Sequence, residues 1–128
     1  MVINVQVWNE QTLGKLDIET VRALYQPYYR FRVQQAKYNP HTPYPESGVA
    51  RTYYVVAGRM TVQDGPTTYV LESGQFVSLP RGTYTLHHPD GVEFIKVLML
   101  SEQVWEHEKN LYETEFRPNL QTIDYRLV

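Results

Sequence analysis

The four histidines and the absence of cysteine set the limits of the chemistry this sequence can carry. Without thiols there is no disulfide framework, thiolate zinc site or cysteine nucleophile. Proton transfer near neutral pH therefore falls to imidazole. His41 stands between Pro40 and Thr42, where it can both take and give a proton, as the elimination of water requires. His87 and His88 are adjacent at the end of a strand-like run, and His107, flanked by glutamates, reads as a solvent-facing side chain. Arg51 and Lys15 are cations suited to a phosphate, a carboxylate or a developing oxyanion. A buried guanidinium needs a ligand or an acid beside it, and Glu93 is one candidate acid for Arg51. Tyr53 offers a ring for stacking on a sugar or nucleobase, and a hydroxyl that must find a partner if buried. No nucleophile elbow, phosphate-cradling glycine loop or dinucleotide fingerprint is present.

Strands must position these groups. Residues 51–88 alternate β-branched and aromatic runs with glycine-bearing turns. Gly58 is expected to break the first run, Asp64-Gly65 to make a tight hairpin, and Glu72-Ser73-Gly74 and Pro80-Arg81-Gly82 to turn the chain again before Thr83 to His88. Short strands at a spacing of about 8–12 residues predict an all-β antiparallel barrel or sandwich. Val2 to Trp8 reads as a half-buried strand with its apolar face on odd positions. A polar loop carrying Lys15 follows, and then a helical turn capped by Asp17 that must stop by Pro27. Tyr28 to Tyr38 alternates as a longer strand. Asn39 to Gly48 holds three prolines and predicts a loop. Val92 to Leu100 is apolar on both faces apart from Glu93 and Lys96, so it should lie between two layers. Ser101 is placed to cap a helix over Glu102 to Asn110, with a tail beyond it.

At 128 residues the chain is expected to be one domain with an adequate core. A net charge of −2 argues against nucleic acid or an anionic membrane as partner. The N-terminus alternates instead of forming an apolar signal run, which with the lack of cysteine fits a cytoplasmic protein.

The turn Gly74-x5-Pro80-x-Gly82 has the glycine, proline and glycine of the second cupin motif, and Thr52 to Gly58, TYYVVAG, resembles the end of the first. The chain thus resembles the cupin superfamily over about residues 30 to 100. The resemblance implies a single cupin double-stranded β-helix, a jelly-roll barrel with an internal ligand cavity. Its domain would be residues 1–128, with the core at about 28–100, a short C-terminal helix packed on it, and homodimer formation. In metal-binding cupins two histidines, a glutamate and a third histidine hold the ion. Here the matching positions are the Tyr44–Ser47 stretch, Arg51 and Thr85, which implies a site without metal or other cofactor; His41, Glu46, His87 and His88 are the residues left for an irregular one. Strand parity from these positions puts Arg51, Tyr53, Thr85 and His87 on the inner face and Tyr54, Val56 and His88 outside.

The lining also resembles small metal-free cupin dehydratases of nucleoside-antibiotic biosynthesis, although His87 stands where those enzymes carry a tyrosine. That resemblance implies His41 as the acid–base group, Lys15, Tyr53 and the His87 position as substrate contacts, and Glu106 or Glu108 as an assisting acid. Taken with the inner-face parity, the candidate catalytic residues are His41, His87 and Tyr53, and the candidate substrate-binding residues are Lys15, Arg51, Thr85, Glu106 and Glu108. The expected activity is a metal-independent dehydratase or other lyase acting on a polar small molecule such as a sugar or nucleoside derivative. Alternatives are a nucleotide-sugar epimerase or isomerase, a cupin that binds a small molecule without turnover, and an oxygenase with an unusual ligand set.

Overall fold

A computed structural model describes residues 3–25 and 30–100 of the chain. The expected C-terminal helix and tail, with Glu106, His107 and Glu108, lie outside the described residues. In order, the elements are β1 (Val5–Val7), α1 (Glu10–Leu13), α2 (Ile18–Leu24), β2 (Phe31–Tyr38), β3 (His41–Gly48), β4 (Arg51–Asp64), β5 (Thr67–Glu72), β6 (Gln75–Leu79), β7 (Gly82–His88) and β8 (Val92–Met99). All strand pairs are antiparallel. One sheet runs β1-β6-β4-β8-β2 and the other β5-β4-β7-β3. This is the expected jelly roll.

Strand β4 belongs to both sheets. Up to Gly58 it pairs with β6 and β8, and from Arg59 onward with β5 and β7. The expected break at Gly58 is instead a bend. A register shift between Val55 and Ala57 and a φ of +83° at Gly58 turn the strand from one sheet into the other without ending it. The next turn also differs in detail. Asp64 pairs with Thr67, leaving Gly65-Pro66 as the two-residue loop. Only Gly65 has positive φ, +56°; proline cannot supply a second, so the primed turn is of the type with glycine first.

The proline-rich segment expected to be a loop is strand β3. Proline cannot donate to a central ladder, but an edge strand needs donors on one side only. β3 is such an edge, paired to β7 alone, with Pro43 and Pro45 exposed and a register irregularity between His41 and Tyr44.

The two-faced apolar character of β8 has a direct cause. Val92 and Phe94 face the barrel interior with Tyr53, Val55, Val62 and Leu86. Ile95 and Val97 face outward and are covered by Trp8, Leu16, Ile18 and Val21 from the N-terminal segment. Asp17 caps α2, its Oδ1 accepting from the Thr20 amide at 2.8 Å, and that bond holds its carboxyl below the usual range. The predicted β1 shortens to three residues, with Val7 left 72% exposed. Among the described residues no helix is long and apolar enough to cross a membrane.

Candidate functional site

The inner faces of both sheets leave a cavity of about 660 Å³ at one end of the barrel, lined by residues of β2, β3, β4, β7 and β8. At its floor is Glu46. On the edge strand its side chain shares a face with Tyr44, and β7 lies opposite as Glu46↔Tyr84 and Tyr44↔Leu86. A single carboxylate oxygen, Oε1, takes three donors: the Tyr53 hydroxyl, Arg51 Nη1 at 3.4 Å and Lys96 Nζ at 3.3 Å. In this arrangement the Tyr53 hydroxyl is the donor and the Glu46 oxygen the shared acceptor. Burial, reinforced by the Glu46 charge, pushes the Tyr53 pKa far upward, so its phenol stays protonated.

Arg51 is held through both terminal nitrogens, while its buried Nε has no hydrogen-bond partner among the described residues. Its Nη2 donates to the Gly82 carbonyl at 2.7 Å and the Glu46 carbonyl at 3.2 Å, and its guanidinium lies 5.2 Å from the centre of the Tyr84 ring. Tyr84 is fixed in turn by its hydroxyl, which donates to Pro80 at 2.6 Å. The Pro80–Gly82 turn thus does more than reverse the chain: it supplies acceptors that orient Arg51 and its ring platform. Glu93, the acid considered for Arg51, points elsewhere and accepts from Gln35 at 2.8 Å.

The opposite wall is aromatic. Tyr44 and His88 are joined through Oη and Nε2 at 3.0 Å. His88 is fully buried and stacked on Tyr38, ring centres 5.1 Å apart at 22°. Burial pushes the His88 imidazole below its ordinary pKa and raises Tyr44 to about 12, the Glu46 charge adding to the latter. Both are therefore neutral at physiological pH. His41 is exposed at the mouth, edge-on to Tyr44 at 5.2 Å. Its Nδ1 is 2.6 Å from the Thr42 carbonyl; a carbonyl only accepts, so the proton is on Nδ1 and Nε2 has the lone pair in the neutral ring.

The expected inner-face residues divide. Arg51, Tyr53 and His41 belong to the cavity or its floor. Thr85 and His87 do not: Val62 and Leu86 pair on the interior face, so Thr61 and His87, and Gln63 and Thr85, face outward. The parity was one residue off along β7, and His88, expected outside, is the buried imidazole. Lys15 is an exposed residue of the α1–α2 connection and does not line the cavity. Lys96, Tyr44 and Arg32 line it without having been singled out. The signal for Lys96 was its position as the one ammonium of a strand that is apolar apart from it and Glu93, which demands a partner once buried.

The ion held by many cupins does not fit these residues. Glu46 is already bonded to two cations and His88 to Tyr44. Among the described residues no group of three or more His, Asp or Glu is placed to hold a metal.

No family model matches the sequence, and no curated protein does. Solved structures do. A DUF861 family protein of Thermotoga maritima is similar at a TM-score of 0.53 with 16% identity, over 77% of this chain and 100% of that one. A cupin superfamily protein of Desulfitobacterium hafniense is similar at 0.52 with 6% identity, over 78% and 79%. The EutQ protein of Clostridium difficile is similar at 0.52 with 16% identity, over 78% and 69%. These likenesses carry the fold: an antiparallel cupin jelly roll.

Proposed function

We propose that this chain is a metal-independent cupin that binds a polar small molecule in the Glu46 cavity and acts on it as a lyase, by acid–base elimination of water. The observation that carries the reading is a pair of neutral proton-handling groups, Tyr44 and His88, facing a floor of fixed positive charge. In the elimination a base removes a proton from carbon, the C–H electron pair becomes the new C=C bond, and the adjacent C–O bond breaks. The departing hydroxide takes up a proton and leaves as water. The Tyr44–His88 pair takes the carbon proton, Tyr44 relaying it to His88 Nε2. Protonated His41, beside Tyr44 at the mouth, supplies the proton to the leaving oxygen. Arg51 and Lys96 stabilise the negative charge that develops between these steps. Tyr53 keeps Glu46 in place instead of moving a proton, and His87, outside the barrel, has no part. Sugar and nucleoside derivatives suit a cavity that presents both aromatic rings and charge.

Sugars, nucleosides and their phosphates are to be screened for thermal stabilisation. Compounds that bind are then incubated with protein in deuterated water and followed by NMR. Olefinic product, or deuterium at the carbon that loses its proton, is expected. Tyr44→Phe, which keeps the ring, and His88→Asn should each slow this by about 10²-fold or more, while Tyr44→Phe changes ligand affinity little. Binding without product or exchange would make the chain a small-molecule-binding cupin and end the lyase reading.

A further inference from the structure

Two buried cations and one partly buried carboxylate at the cavity floor do not sum to zero. Arg51 and Lys96 have side chains 2% and 7% exposed, and both lean on the one carboxylate of Glu46, itself 14% exposed. A surplus positive charge in such a setting is costly unless an anion offsets it. From this geometry we infer that the cavity selects an anionic molecule, a carboxylate or phosphate, whose charged group binds Lys96. The inference rests on the reading of the cavity as a small-molecule site and narrows its ligand class.

The donors identify Lys96 as the contact point. Both terminal nitrogens of Arg51 are engaged, on Glu46 and Gly82, and its face by Tyr84, which leaves one donor, the buried Nε, without a partner among the described residues. Lys96 makes one hydrogen bond among the described residues, to Glu46 Oε1, although an ammonium has three donors. Arg32 lines the same cavity and strengthens the positive field. Desolvation pushes the Lys96 pKa down, Arg51 and Arg32 add to that, and Glu46 opposes it; a bound anion would favour the charged ammonium. Beyond the charges, Leu98, Leu100, Tyr44 and His88 line the cavity, so the anion should carry a flat or apolar body.

Benzoate and benzamide, nearly equal in shape and different in charge, provide the probe, with inorganic phosphate as a second anion. Binding is measured calorimetrically at low salt. Benzoate is expected to bind at least about tenfold more tightly than benzamide, a difference of about 1.4 kcal/mol, and phosphate to bind measurably. Lys96→Met should remove the preference and leave the balanced Glu46–Arg51 pair folded. If that variant fails to fold, the wild-type comparison still decides. Equal binding of benzoate and benzamide, or no binding of either anion at millimolar concentration, overturns the inference. Both readouts are binding alone, so absent turnover, which would defeat the lyase reading, shows in a different measurement.

Discussion

Glu46→Gln is expected to destabilise the fold by about 3–5 kcal/mol, the range for removing one partner of a buried ion pair. The substitution keeps the shape of the side chain and removes the charge that holds Arg51 and Lys96 together at 3.4 and 3.3 Å. It also deprives the buried Tyr53 hydroxyl of its ionised acceptor. Two cations are then left in a wall with no anion between them. Lys96→Met should do far less, because it removes the surplus charge. The sharpest test is the double variant: Lys96→Met introduced into Glu46→Gln should recover part of the loss, a coupling that two independent sites would not show. Urea denaturation of the four proteins measures it, with unchanged slopes confirming that the difference is one of stability. A Glu46→Gln protein within about 1 kcal/mol of wild type would mean that the floor is wet enough to screen these charges.

The fold was legible because its signals are local and repeated. Glycine turns between β-branched runs, and the Gly74–Pro80–Gly82 spacing, mark strand ends wherever the strands later pair. Among the readings that failed, three have a plain physical reason. Asn39 to Gly48 was expected to be a loop because proline forbids a central strand; which strand lies at an edge is a property of the assembled sheet. Gly58 was expected to end a strand because a positive-φ residue usually does so, yet here the same angle turns one strand between two sheets. Thr85 and His87 were placed inside by matching the third-histidine position of metal-binding cupins. The strand's own alternation argued otherwise: Tyr84 and Leu86 are the apolar positions of GTYTLHH, and they carry His88 inward with them. Local hydrophobic phase was the better guide. The floor was harder to see. Glu46, Arg51 and Lys96 lie on three strands, and nothing in the spacing of five residues from Glu46 to Arg51 or fifty from Glu46 to Lys96 announces that they meet.

Gly58→Ala is expected to cost about 2–5 kcal/mol, and the sum has two separate sources. At φ +83° an L-residue is in left-handed territory, which costs roughly 1–2 kcal/mol. A Cβ there would also sit 2.7 Å from the Gly91 carbonyl oxygen and 3.2 Å from the Val92 Cα. Both are backbone atoms, on the turn into β8 and at its first residue, so no side chain can swing away. Relieving such overpacking adds roughly 1–3 kcal/mol. Gly65→Ala serves as the comparison, since Gly65 also has positive φ, +56°, but open space around its missing Cβ. It should show the conformational cost alone. The difference between the two variants isolates the steric contribution at the bend. Because the bend sets where β4 leaves β8 for β7, relief by backbone movement would shift Arg51 and Tyr53 relative to Lys96, and anion binding should weaken along with stability. Equal losses for the two alanine variants, with binding unchanged in both, would show that the bend accommodates a Cβ and that the geometry of the floor does not depend on Gly58.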